Sequence, residues 1–221
     1  MFHVKHPLSL EDLIHFLNTQ NIDVSNSQID MLGEYHSLLL SWSHRQNLFS
    51  ARDRNYLIER HFVPSFYFYQ LIKNFSEKII VDIGSGAGFP GLILQIMIPE
   101  ISVTLIDSSR KKCLFLQEVN HVLNLKARVR NIRLENLTID DQSRFNIAVA
   151  RFFGNLISLW YGVAPVLKPS GVLMVQKGGT QQISVPENAD HIKYWRAGIS
   201  WINVSPTLST KLIIEVKKHN D

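Results

Sequence analysis

The segment Val81-Asp82-Ile83-Gly84-Ser85-Gly86-Ala87-Gly88-Phe89-Pro90-Gly91 constrains the fold of this chain more than any other. It follows a short β-branched run at residues 78–83 and precedes the apolar stretch 92–98, so it reads as a tight turn between a strand and a helix. Glycines permit the backbone reversal and let a ligand approach the main chain, because no Cβ stands in the way. Pro90 suits the first turn of the following helix.

Counted from Gly84, the dinucleotide pattern G-x-G-x-x-G is met at its first and third positions. Phe89 stands at the sixth, where close helix packing calls for the last glycine. Asp82, just ahead of the first glycine, fits instead the D-x-G-x-G-x-G loop of methyltransferases. A carboxylate there is expected to reach a methionine ammonium, through hydrogen bonds or water. Asp107 closes the second strand about 20 residues after the loop, where an acidic side chain accepts from both hydroxyls of a ribose. The plainer alternative for Asp107 is a cap for the helix that starts near Ser109, a role open to Ser108 and Ser109 as well.

From Lys78 onward, predicted strands at 78–83, 101–107, 127–131, 145–151 and 171–177 alternate with helical segments. That order predicts an α/β fold: a Rossmann-like, mostly parallel sheet with helices on both faces. A last strand is expected at 211–217, and the stretch beyond Gly178 reads as polar and irregular up to residues 192–195. Ahead of the sheet the periodicity is helical. Ser9 and Asp12 open one amphipathic helix, Ser25 and Gln28 open a longer one, and residues 41–54 read as a loop. A third helix is expected near 56–62 with a break at Pro64, and the aromatic run 66–69 is expected to pack a helix onto the sheet. The predicted organisation is a helical extension at 1–76 and a catalytic domain at 77–221.

The 221 residues include one cysteine, Cys113, so no intramolecular disulfide and no cysteine-rich zinc site can form. Cys113 reads as a packing residue. No apolar stretch approaches the ~18 to 20 residues needed to cross a bilayer, and Glu11 and Asp12 interrupt the amino terminus before a signal-like apolar region develops. A cytoplasmic chain with no membrane partner and no metal is expected. The net charge of +4 favours anionic partners without identifying one.

The stretches Asn47-Leu-Phe-Ser-Ala-Arg-Asp53, Arg60-His61, Val81 to Leu94, Leu105-Ile-Asp-Ser-Ser-Arg-Lys-Lys112 with Phe115-Leu116, Ala150-Arg151 and Lys177-Gly178 occur in order. Together they resemble the bacterial small-subunit ribosomal RNA methyltransferase G family, also called glucose-inhibited division protein B. The resemblance implies a class I methyltransferase fold behind a small helical extension. It also implies S-adenosyl-L-methionine as cofactor and N7 of one guanine in 16S ribosomal RNA as methyl acceptor. By motif position it assigns cofactor contact to Gly84, Phe89, Leu134, Glu135 and Arg151, which join Asp82, Ser85, Gly86, Gly88 and Asp107. Asn47, Arg60, His61 and Lys177 are the candidate substrate-pocket residues. The chain departs from the family at Phe49, where threonine is common, and at Phe152-Phe153, where alanine usually follows the arginine. Both departures bear on the rim of the RNA pocket.

Guanine N7 carries a lone pair and no proton, so no catalytic base is expected; alignment in a water-poor pocket is the protein's task. Arg151 and Lys177 fall at the carboxyl ends of predicted strands, the edge where such sheets bind ligands. An ion pair of Arg151 with Asp140 or Asp141 is the competing role. The basic groups Arg110-Lys111-Lys112 and Arg128, Arg130, Arg133 either track phosphate or form a solvated face. The implied partner is 16S ribosomal RNA or a small-subunit particle, met by a monomer. A small-molecule methyltransferase shares every cofactor feature, and a non-catalytic RNA-binding protein of the same fold is the third reading.

Overall fold

A computed structural model of the chain describes residues 7–137, 141, 144–151, 155–178, 197–200 and 211–217. It begins with α1 (Leu10–Thr19) and α2 (Asn26–Ser43). Both open on reciprocal capping boxes: Ser9 Oγ accepts from Asp12 N while Asp12 accepts from Ser9 N, and Ser25 and Gln28 repeat the exchange. Each helix buries one stripe, Leu13 and Leu17 on α1 and Leu32, Tyr35 and Leu39 on α2, at the three- and four-residue spacing that keeps side chains on one face. Gln28 Nε2 also donates to the carbonyls of Ile96 and Met97, which ties the start of α2 to the helix after the glycine loop.

The region between α2 and the sheet differs from expectation. α2 continues through Ser43, inside the expected loop, and a 3₁₀ turn (Ala51–Tyr56) ends that loop early. Pro64 breaks nothing: a π turn (Ile58–Phe62) runs directly into α3 (Val63–Ile72), with the proline in the first helical turn, where no N–H is needed. The aromatic run lies on α3, with Phe66, Tyr67 and Phe68 buried, which bears out its reading as packing material.

The sheet has the order β3-β2-β1-β4-β5-β7-β6. β1 (Ile79–Ile83), β2 (Ser102–Ile106), β3 (Arg128–Arg130), β4 (Phe145–Arg151) and β5 (Leu167–Gly178) pair in parallel. β7 (Lys211–Lys217) lies antiparallel between β5 and β6 (Ala197–Ser200). α4 (Gly91–Met97) follows β1, α5 (Arg110–Val122) follows β2 and α6 (Leu156–Val163) follows β4.

Side-chain alternation splits the core between the two faces. Ile80, Val103, Leu105, Ile147, Val149, Val172 and Met174 pack on the face that carries the helices α1 to α5. Val81, Ile83, Ile106, Ala148, Ala150, Leu173 and Val175 pack with Leu159 and Trp160 of α6 on the other. The mostly parallel, two-faced α/β architecture read from the sequence is what the chain adopts. Residues 192–195 lie outside the described residues. Among the described residues no helix is long and apolar enough to cross a membrane.

Candidate functional site

The carboxyl ends of β1, β2 and β3 converge on a cavity of about 220 Å³ whose walls include Ile83, Gly84, Ile106, Asp107, Leu134 and Glu135. Gly84 has φ +66°, a left-handed conformation that favours glycine, and nothing lies within 4 Å of where its Cβ would be. A ligand can therefore lie against the main chain at this point. Asp107 faces the same space and also fixes the loop: its Oδ2 accepts from Gly86 N at 2.9 Å and its Oδ1 accepts from Ser109 N at 2.8 Å. Ser109 itself caps α5 by accepting from Lys112 N. Asp107 thus sits at the loop and the helix start together, and each carboxylate oxygen keeps a lone pair for a ligand hydroxyl.

Asp82, Ser85 and Phe89 do not line this cavity. Asp82 lies beneath the loop, fully buried, with Oδ2 accepting from Gly91 N at 2.9 Å and Oδ1 without a hydrogen-bond partner. Burial pushes its carboxyl up to about 8, against the Gly91 N–H and the Arg151 charge, which favour the ionised form. An orphaned buried carboxylate oxygen is suited to a cationic ligand group that arrives with its own donors. Ser85 Oγ donates to Asp82 O, and Ser85 N donates to Ile106 O, so Ser85 stitches the loop to the two strand ends.

Two residues important here escaped the sequence reading. A Cβ on Gly91 would stand 2.3 Å from Leu105 Cδ2 and 2.6 Å from Asp82 Oδ2. The close helix-to-sheet packing that a dinucleotide loop obtains from its sixth position is supplied here by Gly91. Tyr35, on the buried stripe of α2, donates its hydroxyl to Ala87 O at 2.5 Å and stands 2.8 Å from the position a Cβ on Gly88 would take. Its place on an apolar helical stripe marks it as core and leaves its polar end unannounced.

Phe89 belongs to an aromatic group rather than to the cavity wall. Its ring packs against Tyr35 and Phe62 and is stacked by the His61 imidazole at 5.3 Å. The Arg151 guanidinium lies 5.4 Å from the same ring. Arg151 comes from the end of β4, yet its bonds go to the π turn: Nη2 donates to Arg60 O at 3.1 Å and meets His61 Nδ1 at 2.8 Å, and Nη1 donates to His61 O at 3.3 Å. Burial lowers its pKa to about 10, and the Asp82 charge opposes that shift. Asp141, offered as its ion-pair partner, instead binds Arg130 at 2.6 Å, and Asp140 lies outside the described residues.

Arg60 and His61 both approach Asp53, whose carboxylate pairs with the Arg60 guanidinium and lies 3.9 Å from His61 Nε2. Burial raises the Asp53 pKa, but hydrogen bonds from Ser50 and Arg60 and the nearby His61 hold it below its ordinary value. Phe49, a departure from the family pattern, places its ring 6.2 Å from His61. Asn47 stands apart from this group, in a crevice with Lys111 and Lys112. The Lys177 backbone pairs with Leu212 in β7, and its side chain lies outside the described residues, as do Phe152 and Phe153.

The residues at hand fit an adenosylmethionine. Gly84 offers an open main-chain cradle, Asp107 and Glu135 are acidic acceptors, Ile83, Ile106 and Leu134 give apolar walls, and the orphaned Asp82 oxygen lies beneath the loop.

A family model described as rRNA small subunit methyltransferase G matches residues 28–203. The ribosomal RNA small subunit methyltransferase G of Halorhodospira halophila is 36% identical over 180 residues, 80% of this chain and 79% of that protein. The protein of the same name from Desulfitobacterium hafniense is 33% identical over 204 residues, 90% of this chain and 84% of that protein. Among solved structures, a SAM-dependent methyltransferase from Aquifex aeolicus superposes with a TM-score of 0.53 at 16% identity, covering 68% of this chain and 88% of that one, a likeness of fold.

Proposed function

The chain belongs to the rRNA small subunit methyltransferase G family, and from that premise we propose that it methylates N7 of one guanine in 16S ribosomal RNA with S-adenosylmethionine as donor. The observation that carries the reading is the cavity at the strand ends, where the open face of Gly84, the Asp107 carboxylate and the Leu134–Glu135 turn meet. In this reading the enzyme works as a monomer in the cytoplasm, on the RNA or a partly assembled small-subunit particle.

When bound, S-adenosylmethionine supplies an electrophilic methyl group carried on sulfonium. Asp107, which accepts from Gly86 N and Ser109 N, would accept from the ribose hydroxyls with its remaining lone pairs, and Leu134 and Glu135 would wall the nucleoside. Asp82 holds the loop through Gly91, and its second oxygen would serve the ammonium side of the ligand. Guanine N7 has no proton to lose, so no side chain serves as general base. The chain's contribution is alignment and exclusion of water. Arg151 is a positioning residue, fixing the His61 ring on Phe89 beside Arg60, on the substrate side of the loop.

The test is methyl incorporation into small-subunit RNA and particles from cells lacking the gene, with mass mapping of the modified nucleotide. One 7-methylguanosine is expected. Incorporation into small purines, with RNA inert at every salt concentration, would move the activity to a small-molecule substrate. RNA binding without a calorimetric response to S-adenosylmethionine would leave a binding protein.

A further inference from the structure

The structure brings Asn47 together with the basic run whose role the sequence left open. The crevice between the end of α2 and the first turn of α5 measures about 340 Å³ and is lined chiefly by His44, Arg45, Gln46, Asn47, Lys111 and Lys112. No acidic side chain lines it. Among the described residues, none of His44, Arg45, Lys111 and Lys112 is held in an ion pair, whereas Arg60 and Arg130 are committed to Asp53 and Asp141. His44, Arg45, Asn47 and Lys111 are exposed.

The charge arrangement on α5 is unfavourable for the helix alone. Its first turn carries no acid, and Arg110, Lys111 and Lys112 crowd the end where the backbone dipole is already positive. A local conflict of this kind is expected where a site makes use of it. No phenylalanine, tyrosine or tryptophan lines the crevice, and its donors are cations, amides and the Ser43 and Ser109 hydroxyls. That chemistry suits an anionic oxygen cluster.

The position gives the partner. Ser108 lines the cofactor cavity and Ser109 lines the crevice, so the two share one rim at the start of α5. We propose that the crevice formed by His44, Arg45, Asn47, Lys111 and Lys112 seats the RNA backbone, holding phosphodiester groups beside the nucleotide that enters the active site. The assignment rests on the RNA reading above and adds where the strand is anchored. A chain of net charge +4 has little global attraction to offer, so such local clusters must fix the strand.

The test compares the full-length parent with Lys111→Gln/Lys112→Gln and with a charge-matched pair remote from the rim, Lys73→Gln/Lys78→Gln, near the start of β1. Affinity for protein-free small-subunit RNA is measured by filter binding across salt concentrations. Methyl-transfer kcat and KM, calorimetric affinity for S-adenosylmethionine, and melting temperature complete the set. Loss of two phosphate contacts should make the slope of log affinity against log salt shallower by about 1.4 to 1.8. KM for RNA should rise about tenfold, while cofactor affinity stays within about twofold and melting does not fall; the remote pair should keep the parental slope. Should the double variant melt lower, Lys111→Gln alone, at an exposed position, carries the test, with a slope change of about 0.7 to 0.9. A parent active on RNA, with slope and KM unchanged in the crevice variants, overturns the anchor and leaves the methyltransferase reading standing. Equal effects from both pairs overturn it in favour of general charge. A parent that neither binds nor methylates RNA overturns both.

Discussion

A single methyl group at Gly91 tests how the loop is held. In Gly91→Ala the new Cβ would stand 2.3 Å from Leu105 Cδ2, 2.6 Å from Asp82 Oδ2 and 3.2 Å from Asp82 Cβ. Leu105 and Asp82 are both fully buried, in adjacent strands, so neither moves aside freely. Overpacking of this kind costs about 1 to 3 kcal/mol. Displacing α4 also lengthens the 2.9 Å bond from Gly91 N to Asp82, which leaves the carboxyl short of its donor and adds about 1 to 3 kcal/mol. Alanine in a helix returns about 0.5 to 1 kcal/mol. The balance is a loss of about 3 kcal/mol, or about 6 to 12 °C in melting temperature for a chain of this length. Gly84→Ala is the comparison, because its Cβ meets nothing within 4 Å and the cost is only the left-handed strain, about 1 to 2 kcal/mol. Differential scanning calorimetry and titration with S-adenosylmethionine should therefore separate the two: Gly91→Ala should lose more stability, and Gly84→Ala should lose cofactor binding at a smaller thermal cost. A Gly91→Ala protein that melts within about 1 °C of the parent, with cofactor affinity unchanged, would refute the packing argument.

Arg151→Lys keeps the charge but not the fork that reaches Arg60 O, His61 O and His61 Nδ1, so methyl transfer should fall at least tenfold, with a melting loss of about 1 to 3 kcal/mol; parental activity would show that His61 needs no such support. For Asp82, whose folded pKa is raised to about 8, the folded chain holds more protons than the unfolded one between about pH 4 and pH 8. Its contribution to stability is full below the unfolded value and is lost as pH rises toward 8. Denaturant unfolding without cofactor should show the parent losing stability relative to Asp82→Asn between pH 5 and pH 8, and the opposite trend would mean a carboxylate that is ionised throughout. Tyr35→Phe removes the hydroxyl from Ala87 O and should cost about 1 to 2 kcal/mol while weakening cofactor binding severalfold, read by calorimetry; unchanged affinity would confine Tyr35 to packing.

What the sequence revealed were features settled by neighbours along the chain. The capping residues Ser9, Asp12, Ser25 and Gln28 marked two helix starts, and the β-branched runs from Ile79 onward placed the parallel strands, because caps and period-two alternation are local. Pro64 misled because the same residue that ends one helix can open the next, and only the π turn before it decides which. Gly91 was hidden for a different reason: its role depends on Leu105, on the strand beside β1, and a glycine outside the counted pattern carries no label. The partners of Arg151 are Arg60 and His61, some 90 residues earlier, and no spacing rule joins the end of β4 to a turn ahead of β1. Asp141 was the nearer carboxylate in sequence and proved to belong to Arg130.

Those long-range bonds change what the helical segment before the sheet is for. Tyr35 from α2 bonds the loop at Ala87, Phe62 and His61 from the π turn close on Phe89, and Arg151 returns from β4 to the same turn. The loop is thereby held by its own strand from beneath and by the helical segment from the side. One core cluster runs from Leu13 through Phe66 to Val103 and Val149, so the helices cover a sheet face that would otherwise meet water. A fragment beginning at residue 77 would expose that face and leave Phe89 without Tyr35, Phe62 and His61. The same helical segment carries Asn47 and Arg45 to the rim of α5.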